Sequence, residues 1–156
     1  MKKIFSASML AVTALFCVNA NAQAVGNVAV NVNLTSKCQI NSVATGVATI
    51  TAINIVYESF QTTAANANSP FVVRCTNGLT FGMGLDAGPG NVRGINYFSA
   101  LGGAVATGLT AEGSPLSGLV GAGAGTTYYV NTTAPLGQAG NSAVATAQTR
   151  VVTVTF

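Results

Sequence analysis

The sequence predicts an all-β fold, and three observations predict it. Short runs of alternating or β-branched residues recur along the 156-residue chain, glycine-rich pieces separate them, and no stretch sustains an amphipathic helical period. Such a pattern fits a sandwich or barrel of short strands. In order, the runs are Val28 to Leu34, Val47 to Tyr57, Phe71 to Cys75, Leu79 to Leu85, Thr126 to Val130 and Arg150 to Phe156. Between them lie "TNG", "LDAGPGN", "LGG", "GAGAG" and "GQAGN", all rich in turn residues.

The chain opens with Met1, Lys2 and Lys3, an apolar run from Ile4 to Val18, and then Asn19-Ala20-Asn21-Ala22. A charged n-region, a short apolar h-region and an A-x-A site in that order predict a secretory signal peptide over residues 1–22, cleaved after Ala22. The apolar run is shorter than the ~20 residues a membrane helix needs, so no membrane span is expected. Cys17 follows the bulky Phe16, unlike the small residue at a lipoprotein processing site. Removing 22 of 156 residues leaves 134, enough for one domain with its own core.

Past the leader, Lys37, Arg74, Arg93 and Arg150 stand against Glu58, Asp86 and Glu112, a net charge of +1. No basic patch forms, so nucleic acid is not an expected partner. Two cysteines remain, Cys38 and Cys75, in a chain bound for an oxidising compartment, and they are expected to form one disulfide. A zinc pair is the competing reading, but there is no histidine and only three scattered carboxylates, so no ligand set is at hand.

The same scarcity argues against catalysis. General acid–base or nucleophilic chemistry needs titratable groups within hydrogen-bond reach, and serines and threonines without a base are weak nucleophiles. No catalytic, cofactor-binding or metal-binding residue is assigned, and the protein is not expected to be an enzyme. "GLVGAGAGTT" at 118–127 lacks the Lys-Ser/Thr ending of a phosphate-binding loop and no helical pattern follows it. The tripeptides starting at Asn33 and Asn131 fit the N-glycosylation pattern but receive no role.

The first and last runs pose a shared problem. "GNVAVNVNLTSKC", residues 26–38, puts Val28, Val30, Val32 and Leu34 on one side and Ala29, Asn31 and Asn33 on the other. Such a strand must join its own sheet or fill another molecule's. "RVVTVTF" puts Val152, Val154 and Phe156 on one face, and if the fold stops there its edge is uncovered.

These two stretches, together with "SPFVVRCTNGLTFGMGLDAG" at 69–88, resemble the spore coat protein U domain family, which includes subunits of archaic chaperone–usher pili. The resemblance spans essentially the whole mature chain and rests on those three blocks. It implies an incomplete immunoglobulin-like β-sandwich over residues 35–156, completed by donor-strand complementation from residues 23–34 of a neighbour. The expected donor side chains are Val28, Val30, Val32 and Leu34, and the expected groove-edge residues are Val152, Val154 and Phe156.

The implied partners are identical or related pilin subunits in a head-to-tail fibre, a periplasmic chaperone and an outer-membrane usher. The implied localisation is the cell surface, reached through the periplasm, with a role in adhesion or biofilm formation. Two other readings stay open: an outer-membrane β-barrel, whose chains also end in Phe after an alternating strand, and a secreted coat or matrix protein of the same fold.

Overall fold

A computed structural model describes residues 28–86, 90–141 and 148–156. The expected signal peptide and residues 23–27 of the expected donor segment lie outside the described residues. The chain divides into two units, Met1–Asn33 and Leu34–Phe156. In the first, residues 28–33 carry neither strand nor helix, and Val28, Val30 and Val32 are 86%, 79% and 84% exposed.

The second unit is all-β, with no helix among the described residues. Its strands are β1 (Cys38–Ile40), β2 (Ala65–Cys75), β3 (Thr80–Leu85), β4 (Gly90–Val92), β5 (Ile95–Gly102), β6 (Leu116–Val120), β7 (Thr126–Ala134) and β8 (Val152–Thr155). They form two antiparallel sheets, one ordered β1-β2-β7-β5-β4 and the other β6-β3-β8.

β2 shows why these residues make strands. From Ser69 to Cys75 its side chains alternate strictly, with Ser69, Phe71, Val73 and Cys75 buried and Pro70, Val72 and Arg74 exposed. That period of two is what a strand with one buried face requires. Across the ladder Phe71 lies opposite Tyr128 in β7, with ring centroids 6.2 Å apart. Such a cross-strand aromatic pair adds about 0.5–1 kcal/mol beyond the area buried.

The core draws Cys38, Phe71, Val73, Cys75, Leu101, Tyr128 and Val130 from the larger sheet and Phe81 and Met83 from the smaller. Cys38 and Cys75 are register partners and are joined by a disulfide, as expected from their number and context. The bond ties the short β1 to the long β2 and closes a sequence separation of 37 residues. By loop-closure entropy that is worth about 4 kcal/mol.

The outer face of the larger sheet is covered by the loop after β5. Asn131 accepts a hydrogen bond from the Ala106 N–H at 2.9 Å and donates to the Ala104 carbonyl at 3.1 Å. The Thr133 hydroxyl accepts from the Leu109 N–H at 3.0 Å and donates to Asn66 at 2.6 Å. These bonds satisfy the loop backbone and bury the polar end of β7, which continues to Ala134, beyond the Val130 that apolar pattern alone marks.

The segment from Val47 to Tyr57, expected as a strand, joins no ladder. It is held through side chains instead: Ser69 Oγ donates to the Thr51 carbonyl at 2.7 Å and Asn41 Nδ2 to the Thr49 carbonyl at 2.8 Å. Ile50 and Ile53 pack against the core, while Val47 and Val56 are almost fully exposed.

Candidate functional site

The open edge of the smaller sheet is the most unusual feature of the unit Leu34–Phe156. β8 pairs with β3 on one side, in the register Gly82↔Thr155, Met83↔Val154, Gly84↔Thr153 and Leu85↔Val152. Among the described residues no strand lies on its other side. The Asp86 N–H donates to the Val151 carbonyl at 3.0 Å, so that pair is hydrogen-bonded across the ladder. Alternation then turns the N–H and C=O groups of Val152 and Val154 away from β3, toward the open edge.

The same two residues point their side chains at the core. Val152 and Val154 are half-buried against it, together with Ile40, Ile50, Ile53, Leu79, Leu85, Leu116 and Leu119. Nine half-buried aliphatic side chains thus pack against nine buried ones. Phe156 lies one residue beyond the last paired position and is 64% exposed; Val151, on the outer face, is 54% exposed.

Of the residues singled out by sequence, the structure brings Val152 and Val154 to the core-facing side of one edge. It brings Cys38 and Cys75 together in a disulfide. Val28, Val30, Val32 and Leu34 are all strongly exposed, Leu34 to 73%, and belong to no strand.

A charged knot at the start of β8 escaped the sequence reading. Arg150 donates through Nε to Asp86 Oδ1 at 2.8 Å and through Nη2 to the Asp86 carbonyl at 2.6 Å. The same guanidinium reaches Glu112 Oε2 at 3.3 Å. Glu112 in turn accepts from the Ser99 N–H of β5 at 3.2 Å, so the knot ties the first residue of the last run to both sheets. Burial alone would raise the Asp86 carboxyl, but the hydrogen bond from Arg150, backbone hydrogen bonding and the Arg150 charge hold it below its usual value. Burial likewise opposes the Arg150 charge, and the two carboxylates more than offset it.

Among the described residues there is no group of three or more metal-ligating side chains and no helix long and apolar enough to cross a membrane. Comparison of the chain with protein-family models, with curated proteins and with solved structures finds no match.

Proposed function

We propose that the chain is a structural subunit of a surface fibre that polymerises by donor-strand exchange. Residues from about Gly26 to Leu34 of one copy lie along β8 of the next, placing Val28, Val30, Val32 and Leu34 over the half-covered core. The observation that carries this reading is the edge itself: among the described residues no strand pairs with the outer side of β8, while Val152 and Val154 lie half-buried against the core.

Strand order supports the immunoglobulin-like part of the proposal. Setting aside β4 and β6, the larger sheet runs first, second, fifth-type and fourth-type strand (β1-β2-β7-β5), and the smaller holds the third and sixth types side by side (β3-β8). In an immunoglobulin domain a seventh strand flanks the sixth. That seat is the open edge of β8.

Nine extended residues at ~3.3 Å each span about 30 Å, the length of a small domain. Four buried Val or Leu side chains contribute roughly 6–12 kcal/mol gross, and each ladder hydrogen bond about 1 kcal/mol more, before ordering costs. A head-to-tail contact of this kind does not close on itself, so the assembly is an open filament. Until the groove is filled it is an aggregation hazard, which is why a periplasmic chaperone and an outer-membrane usher belong to the proposal, as does a role in adhesion or biofilm formation.

The test compares the mature chain with one lacking residues 23–34 and one carrying that segment fused after Phe156. The fused chain is expected to be a stable monomer and the truncated chain insoluble without a chaperone. Equal solubility and equal stability of all three would refute the proposal.

A further inference from the structure

We propose that successive subunits are also joined by a charged junction, in which Lys37 and Arg74 of the strand-giving copy face Asp86 and Glu112 of the receiving copy. This rests on the donor-strand reading and adds a second contact to it.

Charge is scarce and unevenly placed. Beyond residue 22 the chain has four cations and three acids. Lys37 and Arg74 line one shallow recess beside Cys75. Asp86 and Glu112 share the single guanidinium of Arg150, which leaves that group one negative charge in excess, with the Asp86 side chain 41% exposed.

Register puts the two groups at opposite ends of the unit Leu34–Phe156. β2 runs toward Cys75, and β3 begins at that end with Thr80 and runs away to Leu85. β8, antiparallel to β3, starts level with Leu85. Lys37 and Arg74 therefore mark the Cys75 end, and Asp86 and Arg150 the far end.

The tether decides which ends meet. Only Thr35, Ser36 and Lys37 separate Leu34 from Cys38, a span of at most about 14 Å. The body of the strand-giving copy must therefore abut the end of its neighbour from which the strand emerges. A strand antiparallel to β8 brings Leu34 level with Val152, beside Asp86. The Cys75 end of one copy then meets the Asp86 end of the next, and every copy uses each end once. A parallel strand would crowd two neighbours around one Cys75 end within the same short span. The antiparallel arrangement sets two cations against the Asp86–Glu112–Arg150 group with its one excess negative charge, the complementarity that fixes register and speeds encounter.

Lys37 is exposed, and its side chain takes part in none of the ion pairs among the described residues, so changing it leaves the fold intact. The experiment polymerises the mature chain and measures filament dissociation after dilution for wild type, Lys37→Glu, Lys37→Gln, Asp86→Asn and the pair Lys37→Gln/Asp86→Asn. At ~0.15 M salt Lys37→Glu is expected to dissociate about fivefold faster and Lys37→Gln about twofold faster, with the difference vanishing near ~1 M salt. The paired variant should fall short of the product of its two single effects. Unchanged dissociation for both Lys37 variants, with Val30→Ala filaments still weakened, would overturn the junction and leave the donor strand standing. Failure of the wild-type chain to form filaments, or insensitivity to Val30→Ala as well, would overturn both.

Discussion

Val30→Ala separates the stability of the folded chain from the stability of the proposed fibre. In the unit that contains it, Val30 is 79% exposed and forms no strand pairing, so shortening it should leave the thermal midpoint of the monomer unchanged. In the proposed fibre the same side chain is buried against the neighbour's core near Val152 and Val154. Losing two carbons there costs about 1.6 kcal/mol at ~0.8 kcal/mol per buried methylene, which is about 15-fold in the dissociation constant of each junction. Asn31→Ala is the matched control, because Asn31 occupies the opposite face of the same segment. The assay follows filament disassembly on dilution alongside melting of the unfused monomer and of the chain with its donor segment fused after Phe156. A melting drop in the unfused monomer, or equal effects of Val30→Ala and Asn31→Ala on the filament, would refute the assignment of faces.

Four further perturbations test the body of the folded chain. Replacing Cys38 and Cys75 together by Ser should lower stability by about 4 kcal/mol, read from the guanidinium midpoint, because the disulfide closes a separation of 37 residues. A Cβ on Gly121 would lie 2.3 Å from the Thr76 carbonyl oxygen and 2.9 Å from Cys75 Cβ, so Gly121→Ala should cost about 1–3 kcal/mol in the same measurement. Gly84→Ala, with nothing within 4 Å of the added carbon, should be neutral or stabilising by up to about 1 kcal/mol. Asp86 is held below its ordinary value of 3.8 in the folded chain, so its contribution is present above that value and lost as pH falls through the folded pKa. Acid unfolding followed from pH ~6 to ~2 should therefore steepen below about pH 4, and Asp86→Asn should remove that steepening.

Strands with one buried face were legible in the sequence; strands with other environments were not. Phe71 to Cys75, Leu79 to Leu85, Thr126 to Val130 and Arg150 to Phe156 all overlap observed strands, and each puts alternate apolar residues on a core. β5 was missed because a loop bonds to its edge and the sheet beyond it, so "INYFSALG" shows no clean alternation in burial. β6 contains Gly118 at a φ of 67°, where its pattern breaks. β1 is three residues long, too short for any period to register. Val47 to Tyr57 fails in the opposite sense: it alternates well but finds no neighbouring backbone, and pattern alone cannot supply a ladder partner. The Arg150 knot joins residues 64 and 38 positions apart, and only the fold brings them together.

The edge of β8 constrains what can complete it. Val152 and Val154 present backbone to the edge and side chains to the core, so a strand pairing with them must also send every second side chain inward. Residues 28–34 meet that demand in one parity, with Val28, Val30, Val32 and Leu34 inward and the two asparagines outward. A slip of one residue would instead drive Asn31 and Asn33 into an apolar groove, each leaving a buried amide without partners at a cost of about 1–3 kcal/mol. The penalty for the wrong register thus grows with every asparagine the slip buries, while the gain from the right one grows with every valine. A short strand with no turn to set its alignment can be held in one register by that difference alone, which is what a segment reaching from one molecule into the next would need.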